Sequence, residues 1–473
     1  MATHYRQSSA TAPREGTGTC GKNDDVSQTT SQTPVPDDAF DEVVTLCSEL
    51  IAIDSTNTGD PATLVGEREA AEYVAAKLRE VGLDPQIVGE DEKRANVIVR
   101  IPGADRERGG LLVHGHLDVV PAEPAEWSVD PFGGVIKDGY VWGRGAVDMK
   151  DMDAMILACL RDLARTGKKP PRDVVFAFFA DEEAGGVKGS GWLVDNRPEL
   201  FEGVTEAISE VGGYSVTVPD AQGQQRRAYL LQTAEKGILW LRLTAHGRAG
   251  HGSVPNHENA VVRLAEAIAR IDAHVWPREY VASVRQLLDG LSDLTGVSYA
   301  DNDATALLEH LGGAKGFVEG TLQDTASFTM LDSGYKHNVI PQTASASLDC
   351  RFLPGHEEEL MGTIAELAGE FVEVSVHHRD IALDAPFEGA LVDAMKSSLL
   401  AEDPEGVILP YCLSGGTDNK ALKRLGVNGY GFAPLRLPAD LDFAPMFHGI
   451  DERVPIDSLK FGTRVLQRFL LSS

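Results

Sequence analysis

Short, continuous apolar runs that alternate with helical segments restrict most strongly how this chain of 473 residues can fold. The runs 95–101 (ANVIVRI), 110–113 (GLLV) and 174–180 (VVFAFFA) consist largely of Val, Ile, Leu, Phe and Ala. Segments with helical periodicity, such as 65–81 and 149–165, stand between or beside them. Strands that are apolar on both sides are typical of a mostly parallel sheet that is covered by helices on both faces. The sequence therefore predicts an α/β fold.

A change of pattern near residue 237 predicts a second, smaller domain inserted into the first. Residues 238–245 and 343–351 have the pattern of half-buried strands, and a helical segment, 259–272, lies between them. After residue 385 the chain returns to helix and loop. The prediction is one discontinuous domain and an α+β insert, with the segments 37–236, 237–380 and 381–473.

Residues 1–36 are rich in Ser, Thr, Gln, Pro and Gly and have almost no large apolar side chain, which predicts a disordered tail. Within it, 16–22 (GTGTCGK) matches most of a phosphate-binding loop. However, Asn23 stands where Ser or Thr would hold magnesium, and no apolar strand precedes the loop. A nucleotide site is therefore not expected there.

The charge balance restricts the class of partner. With 72 Asp and Glu against 43 Lys and Arg, the net charge is −29, which repels nucleic-acid phosphates and anionic membranes. Five scattered cysteines without a CxxC pair argue against a disulfide framework. No uncharged apolar run approaches the roughly 18 residues of a membrane span, and no signal segment is recognisable. We expect a cytoplasmic protein that binds neither nucleic acid nor membranes.

Side chains that bind metals are concentrated just after the apolar runs. They are His114, His116 and Asp118 after the run at 110–113, Asp148 before a helical segment, and Asp181, Glu182 and Glu183 after the run at 174–180. Taken singly, a strand His, a helix-capping Asp or a solvated Glu pair would be the ordinary interpretation. Together they lie where ligands bind in open α/β sheets, and a divalent cation would relieve their mutual repulsion. Carboxylate mixed with imidazole suits zinc, with manganese or cobalt as alternatives.

Three stretches carry a family resemblance: GHLDVVP (115–121), WGRGAVDMK (142–150) and DEE (181–183). They resemble the di-zinc amidohydrolases of the aminoacylase, carboxypeptidase G and succinyl-diaminopimelate desuccinylase family. The resemblance extends from about residue 40 to the C-terminus. It implies a zinc-peptidase-like catalytic domain, a lid and dimerisation domain at 237–380, a homodimer formed through that insert, and two zinc ions per subunit.

The resemblance also implies roles for individual residues of the metal centre. The implied metal ligands are His116, Asp148 (bridging both ions), Glu183, Glu210 and His448. Glu206 remains an alternative to Glu210 as the terminal carboxylate. Glu182 is the implied general base that activates a bridging water to hydroxide, and Asp118 is expected to fix the tautomer and orientation of His116. His114 is expected either to be structural or to support the neighbouring ligands.

Further implied residues serve the substrate. His251, in GHGSVP (250–255), is expected to reach a neighbouring active site and stabilise an oxyanion there, although a His among glycines is also compatible with a turn. Asn338 and Arg351 are expected to recognise the polar end of the substrate, whereas an ordinary Arg at a strand end forms a surface ion pair. Gly416 belongs to a loop that either lets backbone amides approach the substrate or is a simple turn.

The function predicted is hydrolysis of an amide or peptide bond in a small substrate, such as a dipeptide or an N-acyl amino acid. Dipeptidase, carboxypeptidase and N-acyl-amino-acid deacylase activities all remain open. The alternative is a catalytically silent family member that acts as a binding or scaffold protein. A serine-triad hydrolase is not favoured because the chain lacks a GxSxG elbow, and no GxGxxG follows a strand to indicate a dinucleotide enzyme.

Overall fold

The computed structural model describes residues 39–473. The predicted tail 1–36 and the loop at 16–22 lie outside the described residues. The helices are α1 Ala39–Ile51, α2 Arg68–Glu80, α3 Lys150–Thr166, α4 Ser190–Asn196, α5 Ala260–Asp272, α6 Ala282–Thr295, α7 Thr305–Leu308, α8 Lys315–Glu319, α9 Glu357–Ala368, α10 Ala390–Glu402, α11 Asn419–Lys423 and α12 Ile456–Ser472. The strands are β1 Gln86–Val88, β2 Asn96–Ile101, β3 Gly110–His116, β4 Val135–Lys137, β5 Tyr140–Trp142, β6 Val174–Phe179, β7 Val204–Ser209, β8 Tyr214–Pro219, β9 Gln225–Glu235, β10 Gly237–His246, β11 Gly250–His251, β12 Thr325–Ser333, β13 Val339–Ile340, β14 Thr343–Phe352, β15 Val372–Asp380, β16 Leu383–Asp384, β17 Val407–Leu413, β18 Asn428–Gly431 and β19 Arg453–Pro455.

A large twisted sheet forms the centre of the molecule, in the order β1-β2-β6-β3-β7-β18-β9-β16, with β8 and β17 also pairing β9. The strands β6, β3, β7 and β18 run parallel to one another, as do β9 and β17. The remaining pairings in this sheet are antiparallel. The predicted α/β class with a mostly parallel central sheet is thereby confirmed.

Side chains alternate between two cores on either face of this sheet, which explains why its central strands are apolar throughout. Val113 and Phe176 belong to one core, whereas Leu112 and Val175 belong to the other. Helices α1, α3 and α12 pack together over the first face, and α4 and α11 pack together over the second. Because both faces are buried, every residue of β3 and β6 is buried.

A second, four-stranded antiparallel sheet, in the order β12-β14-β10-β15, lies beside the first. Helices α5 and α9 cover one of its faces and share a separate apolar core with it, in which Leu241, Leu264, Leu348 and Ile364 are buried. The polypeptide enters this unit at Gly237, immediately after β9, and leaves it after β15. This unit corresponds to both ends of the predicted insert 237–380.

The middle of the predicted insert packs elsewhere. Val284, Leu287, Leu308 and Leu322 belong to the large core beneath the central sheet, where α6 contacts β17. Helix α6 is amphipathic, and the apolar face of an amphipathic helix does not by itself specify which core the helix joins. We therefore propose a division in which the smaller unit comprises 237–279 and 323–380, and the intervening residues belong to the larger unit.

Two further observations concern residues 39–473 only. None of their helices combines the length and apolarity needed to cross a membrane. The cysteines in this range are free thiols, and all of them are buried: Cys47, Cys159, Cys350 and Cys412.

Candidate active site

Three of the five predicted metal ligands lie at the carboxyl ends of three adjacent parallel strands. His116 is the last residue of β3, Glu183 follows β6, and Glu210 directly follows β7. Asp148 lies in the loop before α3, and His448 lies in the loop before β19. Because β6, β3 and β7 are neighbours, the side chains that extend beyond their ends converge on one region.

These five residues form two adjoining groups that share Asp148. His116, Asp148 and Glu210 form one group, and Asp148, Glu183 and His448 form the other; within each group the ligand atoms lie within 4.8 Å of one another. Asp148 Oδ1 is 3.2 Å from His116 Nε2, and Asp148 Oδ2 is 3.2 Å from His448 Nε2. Each of the two carboxylate oxygens thus faces a different imidazole.

Glutamates complete both groups. The Oε2 atom of Glu210 is 3.5 Å from His116 Nε2, and the Oε2 atom of Glu183 is 3.1 Å from His448 Nε2. Glu206, the alternative terminal carboxylate, is instead paired with Arg172 at 2.5 Å. The structure therefore brings Glu210 into the cluster and leaves Glu206 in a separate ion pair.

The crowding of charged groups is visible in their proton affinities. Burial raises the pKa of Glu183, and it raises the pKa of Glu210 to about 7. Burial alone would lower the pKa of His116, but the Glu210 carboxylate and its neighbours outweigh it and raise that pKa well above its ordinary value. Hydrogen bonds to Asp148 and Glu183 raise the pKa of His448 to about 10. Carboxylates this close repel one another, and a divalent cation between them removes the repulsion.

The donor atoms fit divalent cations. Carboxylate oxygens and imidazole nitrogens are ligands that zinc accepts, and manganese and cobalt accept the same types. Among the described residues, Glu183 Oε1 is a buried oxygen without a hydrogen-bond partner. An unsatisfied carboxylate oxygen beside this cluster is an available ligand, since buried polar atoms ordinarily have a partner. His116, Asp148, Glu183, Glu210 and His448 could therefore hold two cations, with Asp148 between them.

Asp118 contacts His116 through both its backbone and its side chain. The Nδ1 atom of His116 lies 3.0 Å from the backbone carbonyl oxygen of Asp118, whereas its distance to the Asp118 carboxylate is 3.6 Å. The carbonyl therefore holds the proton on Nδ1 and leaves Nε2 facing the cluster. The Asp118 carboxylate accepts the backbone N–H groups of Glu182 and Glu183, each at 3.1 Å. It positions the turn that carries both glutamates.

A buried polar network behind this turn was not predicted from the sequence. Asn57 donates from Nδ2 to Asp118 at 2.8 Å and to Asp181 at 3.2 Å. Arg94 donates to Asn57 Oδ1, forms an ion pair with Asp181 at 3.0 Å and contacts Glu67. Asp181 has a φ of +70°, an unusual conformation for an Asp that these partners stabilise. No motif in the sequence marks Asn57 or Arg94, because their role depends on segments that meet only in the folded chain.

Glu182 and two of the predicted substrate residues, Arg351 and Gly416, line one cleft. Glu182, Arg351 and Gly416 contribute to a cavity of 560 Å³, together with apolar Trp240 and the ammonium-bearing Lys420. Burial and the nearby Glu210 carboxylate raise the pKa of Glu182 well above its ordinary value. The cleft therefore places a carboxyl group of raised proton affinity next to the cluster, with cationic groups farther along its wall.

His114, His251 and Asn338 lie outside the two groups of candidate ligands. His114 is buried, and its Nε2 is 3.0 Å from Asn419 Oδ1, which agrees with a structural role. His251 is exposed, pairs with Val339 in the ribbon β11–β13 and has its Nδ1 2.8 Å from Ser253 Oγ. Gly252 in the same ribbon donates its N–H to Asn338 O. His251 and Asn338 are thus close to each other in this single chain.

Comparison with known proteins adds a family and several relatives. Residues 112–472 match the family model described as "Peptidase family M20/M25/M40". The N-fatty-acyl-amino acid synthase/hydrolase PM20D1 of Xenopus tropicalis is 28% identical over 406 residues, covering 83% of this chain and 78% of that protein. Aminoacylase-1 of Sus scrofa is 28% identical over 397 residues, covering 81% and 85%. The crystal structure of an M20 family metallo-carboxypeptidase from Sulfolobus solfataricus has the same fold, with a TM-score of 0.68, 20% identity and coverage of 91% and 99%.

Proposed function

The chain belongs to peptidase family M20/M25/M40, and on this premise we propose that it is a di-metal hydrolase of small N-acyl amino acids or dipeptides. Membership of the family agrees with the resemblance to aminoacylase-type di-zinc enzymes. The chain is accordingly a metal-dependent amidohydrolase or peptidase. The number and identity of the ions, the residues that act and the substrate are parts of the proposal.

The observation that carries the proposal is the division of the cluster into two groups around one shared carboxylate. Asp148 directs one oxygen to the His116 side and the other to the His448 side, each at 3.2 Å. A shared carboxylate between two similar ligand sets is what two close cations require, because the anion screens their mutual repulsion. We propose zinc for both ions, with manganese or cobalt as alternatives.

Two such cations, when bound, supply Lewis acidity to the scissile carbonyl and to the water that attacks it. The protein itself contributes the general base, which we propose is Glu182. Glu182 Oε2 is 4.0 Å from His116 Nε2, at the boundary between the cluster and the cleft. In the proposal, this carboxylate takes the proton from the attacking water and later returns it to the leaving nitrogen. Asp118 holds the Glu182 backbone N–H and thereby fixes the position of the base.

The relatives point to a common type of bond. One is named as a hydrolase of N-fatty-acyl amino acids and another as an aminoacylase, and the structural neighbour is named as a carboxypeptidase. The bond that these names share is an amide whose nitrogen belongs to an amino acid. The apolar Trp240 and the cationic Lys420 in the same cleft are compatible with a substrate that has an apolar acyl part and a carboxylate.

We assign carboxylate recognition to Arg351. Its Nε and one terminal nitrogen already bind Asp349, at 2.7 and 2.9 Å, which fixes the plane of the guanidinium group. A substrate carboxylate would then meet the remaining terminal nitrogen. Gly416 lies on the same wall, where an added Cβ atom would come within 2.9 Å of Lys420 Nζ. A side chain at this position would narrow the cleft.

The decisive experiment is a screen of N-acyl amino acids and dipeptides with zinc, manganese or cobalt, run on the wild type and on Glu182→Gln. The variant should keep its metal content and its fold, but kcat should fall by at least about 100-fold because the proton carrier is lost. Glu206→Gln is the matched control, since Glu206 binds Arg172 outside the cluster, and it should keep both metal and activity. Near-wild-type turnover by Glu182→Gln would remove Glu182 from the mechanism.

The alternative of a silent scaffold protein makes the opposite prediction. A scaffold would show no turnover of any amide substrate with any of the three metals, although it could still bind them. The filled positions of both ligand groups favour the enzyme, because a member that has lost activity has no need to keep them.

A further inference from the structure

Glu452 is a buried carboxylate that the roles proposed above leave unused. It follows His448 closely in the chain, and it is 0% exposed. Its two oxygens accept four hydrogen bonds from the short segment 144–148. The donors are Arg144 Nη1 at 2.8 Å and the backbone N–H groups of Gly145 at 3.1 Å, Val147 at 2.7 Å and Asp148 at 3.2 Å.

The donors differ from those of an ordinary buried ion pair. Three of the four are backbone N–H groups, so the loop that carries Asp148 is wrapped around the Glu452 carboxylate. One of those N–H groups belongs to Asp148 itself. A displacement of the Glu452 carboxylate therefore moves the backbone of Asp148. The loss of the Arg144 side-chain contact alone would leave that backbone in place.

The segment that carries His448 and Glu452 makes further contacts with residues 128–143. The backbone oxygen of Glu452 accepts the N–H of Gly143 at 3.0 Å, and its neighbour Asp451 accepts both the N–H and the hydroxyl of Ser128. Just beyond it, Arg453 pairs with Trp142 where β19 joins β5. Glu452 thus lies at the junction of two segments that are far apart in the sequence, each of which carries one candidate ligand.

Arg144 extends this junction to a third segment. Besides Glu452, its guanidinium group donates to the backbone oxygen of Pro121 at 3.3 Å and lies over the Trp127 ring. Pro121 follows His116 closely in the chain. Segments from three parts of the sequence are therefore joined by one buried carboxylate and one guanidinium group, immediately beside the cluster.

We propose that Glu452 is a positioning residue that sets the separation between Asp148 and His448 and so determines how tightly the second cation binds. The proposal rests on the proposed function, because it assigns Asp148, Glu183 and His448 to that cation. Glu452 touches neither the cation nor the substrate; it acts through the backbone of Asp148. The expected consequence is a metal affinity that depends on a residue without a ligand role.

The test is a titration of the metal-free full-length chain with zinc in competition with a chromophoric chelator. The variant Glu452→Gln has nearly the same size, but it presents an amide N–H₂ to N–H donors. We expect it to bind one of the two ions more weakly by roughly 10- to 100-fold, the range seen when groups that support metal ligands are removed. The other ion should weaken less, because it shares Asp148 but keeps His116 and Glu210 in place.

The matched control is Glu42→Gln. Glu42 is also buried, at 4% exposure, and it is paired with Arg161 and Arg165 far from the cluster. This variant should lose stability in denaturant unfolding and keep wild-type affinity for both ions. A purely structural role of Glu452 would give the same result as Glu42→Gln and would overturn the proposal.

A second variant covers the case in which Glu452→Gln does not fold. Glu452→Asp keeps the charge but withdraws the carboxylate by one methylene, so it should fold and still weaken one ion. Unchanged affinity for both ions in either folded variant overturns the inference alone, provided that the wild type binds two ions. A wild type that binds fewer than two ions overturns the proposed function and this inference with it.

Discussion

Single carboxylates in this protein organise more than one neighbour. Asp118 binds the N–H of Glu182 with one oxygen, and it binds the N–H of Glu183 and the Asn57 amide with the other. Asp148 divides its oxygens between two imidazoles in the same way. The precision of the site therefore comes from carboxylates that contact two or more groups at once; backbone N–H donors hold Asp118, and two imidazoles flank Asp148.

The substitution Asn57→Ala tests how much the buried network of Asn57, Arg94, Asp118 and Asp181 contributes to the free energy of unfolding. The substitution removes the amide that joins Asp118 to Asp181 and leaves Arg94 without one acceptor. Because buried polar groups lose their partners, the free energy of unfolding should fall by about 1–3 kcal/mol in denaturant titration. Asn196→Ala, at the exposed end of α4, should stay within about 0.5 kcal/mol of the wild type. Equal stability of both variants would show that the network contributes nothing.

The residues that the sequence indicated and those it did not indicate differ in a physical way. His116, Asp148 and Glu183 stand in motifs that directly follow strands or precede a helix, and these positions lie on one edge of the sheet. Their gathering in space agrees with the prediction, although metal binding by them remains a prediction. Asn57 and Glu452 could not be assigned a role, because each acts by contacting a segment distant in sequence.

The sequence pattern predicted which segments form strands and helices better than it predicted which elements these pack against. The run 174–180 became β6, and the helical segment 259–272 became α5, each within a residue of the expected bounds. Helix α6 shows the limit of this approach. Its apolar residues Val284 and Leu287 indicate a buried face, but only the folded chain shows that this face joins the large core.

Alanine substitutions at two helical glycines should change the free energy of unfolding in opposite directions. In α12, a Cβ atom on Gly462 would lie 2.2 Å from Pro434 O and 2.4 Å from Met155 Sδ, so this glycine lets α12 approach α3. Gly462→Ala should therefore lower the free energy of unfolding by about 1–3 kcal/mol. In α9, nothing lies within 4 Å of such an atom on Gly362, and Gly362→Ala should raise stability by about 0.5–1 kcal/mol.

Thermal and denaturant unfolding of these two variants provides the measurement. The sign of the difference is the critical outcome, since both substitutions add the same methyl group to a helix. A stabilised Gly462→Ala would mean that α12 and α3 are not in close contact.

At the scale of the whole molecule, the smaller unit carries an exposed apolar edge. β12 is the outer strand of its sheet, and Met330 and Leu331 on it are 68% and 71% exposed. Long exposed edge strands of this kind are sites for pairing with another chain. The edge is compatible with the homodimer that the family resemblance implies, in which His251 would reach the active site of the other copy.

Mixing two inactive variants tests this arrangement. Glu182→Gln and His251→Ala, unfolded together and refolded, should recover about one quarter of wild-type activity, because half of the dimers are mixed and each mixed dimer has one intact site. Glu182→Gln mixed with His116→Ala should recover no activity, because each substitution inactivates the active site of the chain that carries it. Full activity of His251→Ala by itself would show that His251 has no catalytic role.

The late position of His448 and Glu452 in the chain has a consequence for biosynthesis. A ribosome that has translated the segments around His116, Asp148, Glu183 and Glu210 has produced an incomplete set of candidate ligands. The His448 imidazole, and the Glu452 carboxylate that positions Asp148, are still missing. On the proposed function, the nascent polypeptide cannot hydrolyse surrounding peptides until translation has passed β19. Activity is thus postponed until nearly all of the described fold is available.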